Sequence, residues 1–123
     1  MIFARRVFLV AGYLGVLAVL PMYFLEGMIG RVQPPEINHP EYYYGFVGVC
    51  LAWQVAFVVI GRDPIRYRPL MIPAMLEKAT FSLGSLALAA MGRAPATILG
   101  PALVDLTLGV LFVVSYMKTA PKG

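Results

Sequence analysis

The stretch LMIPAMLEKATFSLGSLALAAM, residues 70–91, decides how this chain is read. It is apolar over the roughly 20 residues that carry an α-helix across a bilayer core, yet it holds the adjacent charges Glu77 and Lys78. ATILGPALVDLTLGVLFVVSYM, residues 96–117, repeats the combination with Asp105. A charge at the bilayer centre costs roughly 2.5–3.5 kcal/mol on insertion scales, so it persists where it is paired, wetted or used. Glu77 and Asp105 are therefore the first candidates for a site.

Working outward, two more apolar runs precede these, from about Val7 to Leu25 and from about Tyr43 to Ile60. Hydrophobic residues make up 60% of the 123 positions and charged residues 13%, about half the charge of an ordinary soluble domain. The expected fold is all-α: an integral membrane four-helix bundle formed by residues 1–123 as a single domain, with spans of about 7–25, 43–60, 70–91 and 96–117. These leave no room for a soluble domain. Arg5 and Arg6 before the first run resemble the start of a signal peptide. Its apolar stretch is too long for one, and no A-x-A-like site follows, so it is read as an anchor.

Orientation follows from the basic residues. Arg5 and Arg6 precede the first span, Arg62, Arg66 and Arg68 lie between the second and third, and Lys118 and Lys122 follow the fourth. The other two connections hold only Arg31 and Arg93, while Glu26, Glu36 and Glu41 gather on that side. Both termini are expected to be cytoplasmic, in a multi-pass protein of a bacterial inner membrane. The net charge of +4 is thereby explained without nucleic acid as a partner. The connection GRDPIRYRP, residues 61–69, first reads as topology-setting charge. Its sharper reading is contact with anionic membrane lipids, worth about 1 kcal/mol per basic residue. Asp63 suits a cap or a pair with Arg66, and Pro73 is expected to kink or delay the third helix.

Helical spacing places Glu77, Thr80, Phe81, Gly84 and Leu88 on one stripe of the third helix. Ile98, Pro101, Asp105, Gly109, Phe112 and Tyr116 share a stripe of the fourth. At 1.5 Å per residue Glu77 lies roughly 10 Å from the cytoplasmic end and Asp105 roughly 14 Å from the outer end. Antiparallel neighbours joined by the Gly92–Pro95 turn would bring these acids together in a core about 30 Å thick. Lys78 is turned about 100° from Glu77, on a face continued by Ser82 and Ser85. It either snorkels to the surface or turns inward to neutralise Asp105. The expected ligand site joins Glu77 and Asp105 with Lys78, takes Gln54 as its neutral polar neighbour, and has Phe81, Phe112 and Tyr116 among its walls. The bland alternative is a buried ion pair that only packs helices.

On the second helix Gly45, Gly48, Ala52 and Ala56 form a small-residue stripe that lets backbones approach closely. Gly48, Ala52 and Ala56 are the expected contact for a homo-oligomer or a larger membrane complex. Gln54 lies nearly opposite, with Tyr43, Val47, Cys50 and Val58, and is expected to face the bundle interior. Ala11, Gly15 and Ala18 make the first helix a packing element, with Pro21 near its outer end. The longest connection runs from about Gly27 to Glu41 as an extended loop. There His39, Glu41 and Tyr43 are candidates for the outer mouth, beside a tyrosine belt at residues 42–44. Two ligand types across a proline make a weak metal signal, and neither a metal nor a cofactor is expected.

The single cysteine, Cys50, excludes an intrachain disulfide and a thiolate cluster. There is no phosphate-cradling glycine loop and no haem-ligand histidine in a span. The segments NHPEYYYGF (residues 38–46), Arg62-Asp63-Pro64 and Leu76-Glu77-Lys78 have the look of a family signature. With the span layout, the chain resembles the small DoxX-like membrane proteins and, more distantly, the EXPERA-type four-helix fold, whose members bind or isomerise sterol-like lipids. That resemblance implies a polar-lined bundle cavity, which Glu77 and Asp105 would furnish, and it assigns no catalytic residue. Three functions remain open: a structural, accessory or partner-binding membrane subunit; a binding protein or enzyme for a lipophilic small molecule; and proton- or ion-coupled transport. In a Cys50→Ser background, Asn38→Cys should react with an impermeant thiol reagent added outside and Arg66→Cys should not. The reverse pattern would invert the topology.

Overall fold

The computed structural model describes residues 2–121; Lys122 lies outside the described residues. The described chain is all-helical, with five α-helices and no strand: α1 (Ile2–Val19), α2 (Glu26–Val32), α3 (Pro40–Arg62), α4 (Met71–Ala90) and α5 (Leu99–Lys118). Three stretches are long and apolar enough to cross a membrane: Ile2–Phe24, Pro40–Arg62 and Ala96–Lys118. Helix α4 is as long as α5 but is not among them. Glu77 and Lys78, with Thr80, Ser82 and Ser85, lower its hydropathy.

Prolines and one glycine punctuate the elements. After Val19 the chain tightens into a 3-10 turn, Leu20–Phe24, with Pro21 near its start. Pro40 stands in the first turn of α3, where a missing amide costs nothing, so the helix begins ahead of the expected Tyr43. Pro73 does not delay α4. The helix starts at Met71, and Pro73 falls in the first turn, where amides lack intrahelical partners. The extended loop expected from Gly27 to Glu41 instead contains α2. At the end of α4, Gly92 adopts φ 72°, Arg93 N–H donates to Leu88 O (2.8 Å) and Gly92 N–H to Ala89 O (3.1 Å). This is a Schellman closure, which favours glycine at the left-handed position.

Helix α1 runs antiparallel to α3, and α4 antiparallel to α5, because contacts pair rising numbers with falling ones. Gly61 meets Leu9, Gly12 meets Val58, and Gly48 meets Tyr23; Arg68 reaches Tyr116 and Lys78 reaches Asp105. The two hairpins join where Phe8 of α1 stacks on Phe112 of α5 (ring centroids 4.2 Å apart) with Phe57 of α3 edge-on at 4.9 Å. Ala4, Ala11, Ile60, Met71 and Ala74 complete this buried core. All its members lie near one end, where Lys118 also sits 4.5 Å over the Phe3 ring. Both ends of the described chain are there. Toward the other end α3 and α4 separate and leave a groove.

The close α1–α3 contact uses the expected Ala11 and Gly15 of α1 together with Gly12 and Gly61, and not the Gly48, Ala52 and Ala56 stripe of α3. A Cβ on Gly12 would stand 2.8 Å from Gln54 O and Val58 N, and one on Gly61 would stand 2.8 Å from Leu9 N. Ala52 is exposed and Gly48 meets only the Tyr23 hydroxyl; on α1, Ala18 is exposed while Ala4, Phe8, Ala11 and Gly12 are buried. The face of α3 that carries Gln54 is the one that bears on α1, which leaves Ala52 outside. Gly12→Leu should therefore lower unfolding stability by about 1–3 kcal/mol through overpacking. Ala52→Leu, measured in the same detergent with the chain monomeric, should stay within about 0.5 kcal/mol of the parent.

Candidate functional site

Helix α4 buries Met71, Ala74, Lys78 and Ser82, a stripe one residue round from the expected Glu77, Thr80, Phe81, Gly84 and Leu88. Thr80, Gly84 and Leu88 are exposed. Lys78 turns inward rather than snorkelling. Its side chain is 4% exposed, and its Nζ donates to Asp105 Oδ1 at 3.2 Å. Glu77 Oε2 lies 3.7 Å from the same nitrogen, so the two acids converge on one ammonium.

The neighbours explain why the lysine fits. Gly109, one turn beyond Asp105, presents no side chain to it; a Cβ there would meet Lys78 Cβ at 3.3 Å. The ammonium stands 5.1 Å from the centre of the Phe57 ring, a cation–π distance. Ser82 Oγ donates to Lys78 O at 2.8 Å, which satisfies that buried hydroxyl within its own helix. The triad thus rests on the aromatic core. With both acids ionised it carries two negative charges against one positive. Glu77 Oε2 is buried without a hydrogen-bond partner and lies farther from the ammonium than Asp105 Oδ1 does.

Glu77 also borders the groove between α3 and α4, a space of about 540 Å³ walled by Phe46, Val49, Cys50, Trp53 and Phe81. Phe46 and Phe81 face each other across it, ring centroids 6.4 Å apart. Sequence reasoning found Phe81 and Glu77 here but missed Phe46, Cys50 and Trp53. Their signal was the 46, 49, 50, 53 helical spacing, beside the Gln54 face that took precedence.

The other expected site residues lie elsewhere. Gln54 is buried but does not hydrogen-bond either acid. Its Nε2 donates to Cys50 O (2.9 Å) and its carboxamide lies against Gly15 of α1, because the closest approach of α1 is on that side. Phe112 belongs to the aromatic core below the triad. Tyr116 is at the termini end, where Arg68 lies 3.6 Å over its ring and donates Nε and Nη2 hydrogen bonds to its carbonyl at 3.1 and 2.9 Å. His39 Nδ1 and Glu41 Oε1 form an exposed pair at 3.2 Å, with His39 against Tyr42. The Tyr43 hydroxyl donates to Met22 O and so ties α3 to the turn after α1. These three do not border the α3–α4 groove. Among the described residues no three His, Cys, Asp or Glu side chains converge as metal ligands.

No protein-family model, curated protein or solved structure matches this chain.

Removing Asp105 strands a buried ammonium with one distant carboxylate. Asp105→Asn should cost roughly 3–5 kcal/mol of stability, the range for breaking a buried pair, as read by thermal unfolding in detergent. Adding Lys78→Met should restore most of it. An additive double mutant would mean that the two side chains do not interact.

Proposed function

We propose that this chain is a multi-pass membrane protein, a four-helix bundle with both termini in the cytoplasm of a bacterial inner membrane, and that it binds a lipophilic cation in the α3–α4 groove. The membrane reading draws support from the three apolar helices and from the large apolar residues on the outside, Leu14, Leu17, Val49, Val55, Leu76, Leu83, Val104 and Val110 among them. Patches of this extent are a liability in water and are solvated in lipid. Helix α4 joins the other three as a span because Lys78 and Asp105 neutralise each other between α4 and α5, while Leu76 and Leu83 face outward. The basic residues at the termini end set the orientation.

The binding reading is carried by one observation: the Glu77 carboxyl, its Oε2 buried without a hydrogen-bond partner, stands at the edge of a groove with aromatic walls. Its ammonium neighbour is held closer to Asp105. In a medium of low dielectric an uncompensated carboxylate is costly, and a cationic head group relieves that cost. Phe46, Trp53 and Phe81 offer ring faces to the same cation. The groove opens sideways between two helices, so a lipophilic molecule would enter from the bilayer. The resemblance to EXPERA-type proteins supports a lipophilic ligand and says nothing of its charge. The second reading, an accessory subunit with a purely structural ion triad, is favoured by the Lys78–Asp105 pair itself.

Trp53 is the sole tryptophan and reports on the groove directly. Titration with tetraphenylphosphonium in nanodiscs should change its emission saturably. Glu77→Gln should weaken that binding by at least about tenfold, the equivalent of about 1.4 kcal/mol. The Asp105→Asn/Lys78→Met pair, which keeps Glu77, should preserve it. A linear, unsaturable response, or binding indifferent to Glu77, would leave the accessory-subunit reading.

A further inference from the structure

A second groove lies along the other side of α4, between α4 and α5. It measures about 490 Å³ and is walled by Ile72, Ala79 and Leu83 of α4 and by Leu106, Val110 and Val113 of α5. Its lining is apolar apart from Ser82, whose hydroxyl is already bonded to Lys78 O. From residue 72 to residue 83 the groove follows α4 for roughly 16 Å at 1.5 Å per residue. That is about half of a 30 Å hydrocarbon core, the depth of one leaflet.

The two ends of this groove differ. At the termini end Arg68 precedes Ile72 by one helical turn, on the stripe that continues through Leu76, Ala79 and Leu83. Among the described residues its guanidinium donates to Tyr116 O from Nε and Nη2, which leaves the Nη1 protons of the five-donor fork for another acceptor. Arg62 and Arg66 are exposed at the same end, as is Lys118 after the last turn of α5. The acid in this connection, Asp63, accepts the Arg66 backbone N–H through Oδ1 at 3.2 Å. Among the described residues no ionisable side chain lines the groove beyond its mouth. A cationic mouth over an apolar channel one leaflet deep is complementary to an anionic phospholipid: phosphate at the arginines, acyl chain along the channel.

We propose that the α4–α5 groove holds one acyl chain of an anionic phospholipid of the cytoplasmic leaflet, with its phosphate bound by Arg68 and drawn there by Arg62 and Arg66. This rests on the membrane-spanning reading and is independent of the cation site at Glu77. The lipid covers the open side of the α4–α5 pair.

Delipidated protein incubated with phosphatidylglycerol or phosphatidylcholine and examined by native mass spectrometry decides the matter. One phosphatidylglycerol should remain bound, at least about tenfold preferred over phosphatidylcholine. Arg66→Gln and Arg68→Gln should each weaken its retention roughly fivefold, the per-residue contribution of a basic group near the surface. Ala79→Phe fills the channel and should abolish retention. Val110→Trp closes it from the opposite wall and decides the question if Ala79→Phe fails to fold. Glu77→Gln should keep the lipid, which separates this site from the α3–α4 groove, and thiol labelling at residues 38 and 66 tests the membrane reading on its own. Equal retention of phosphatidylcholine, retention unchanged by filling the channel, or displacement of the lipid by soluble glycerol phosphate would overturn the proposal.

Discussion

The pairing of Lys78 with Asp105 is the constraint on which the rest of the arrangement depends. A buried ammonium is tolerated only with a counter-charge held close, and here that charge comes from a different helix, 27 residues further along the chain. The pair sets the register of α4 against α5. It also sets the rotation of α4: once Lys78 and Ser82 point inward, Glu77 is carried to the neighbouring face and Leu76 and Leu83 to the outside. Gly109 is the steric condition for this, since any larger side chain would crowd the lysine stem.

The molecule is tight at one end and open at the other. At the termini end Phe8, Phe57 and Phe112 draw three helices together, and Gly12 and Gly61 bring the α1 and α3 backbones to a separation that only glycine permits there. Small residues achieve close helix contact through dispersion without requiring water to drive it, which suits a chain whose outer surface is apolar. Toward the opposite end, among the described residues, no comparable buried cluster joins α3 to α4. The cleft that results has Glu77, one member of the ion triad, in its wall beside Phe46, Trp53 and Phe81.

Helix α4 consequently divides two environments. Its α3 side carries the Glu77 carboxyl beside Phe46, Trp53 and Phe81. Its α5 side is apolar until it reaches the arginines at the termini end. Glu77 and Lys78 fall on different sides because they are adjacent in sequence but about 100° apart around the axis. Lys78 is turned to Asp105, and Glu77 Oε2 is left without a hydrogen-bond partner. That asymmetry is what distinguishes the triad from a simple packing pair.

The all-helical architecture was legible in the chain alone, as were the approximate helix limits and the presence of charge within apolar runs, because length, hydropathy and proline or glycine punctuation are local properties. The convergence of Glu77 and Asp105 was legible too, from depth and a short turn. The rotation of α4 was not. Glu77 and Lys78 fit an inward position equally well by periodicity, and Gly109 and Phe57, which select the lysine, belong to other helices. Nor was the destination of Gln54 legible, since the amide follows whichever helix comes closest, and Gly12 and Gly15 make that helix α1. Which small residues pack, which aromatic residues wall a groove and which merely fill a core are matters of inter-helix distance. Only the folded arrangement decides them, because each depends on side chains distant in the sequence that meet across the same few ångströms.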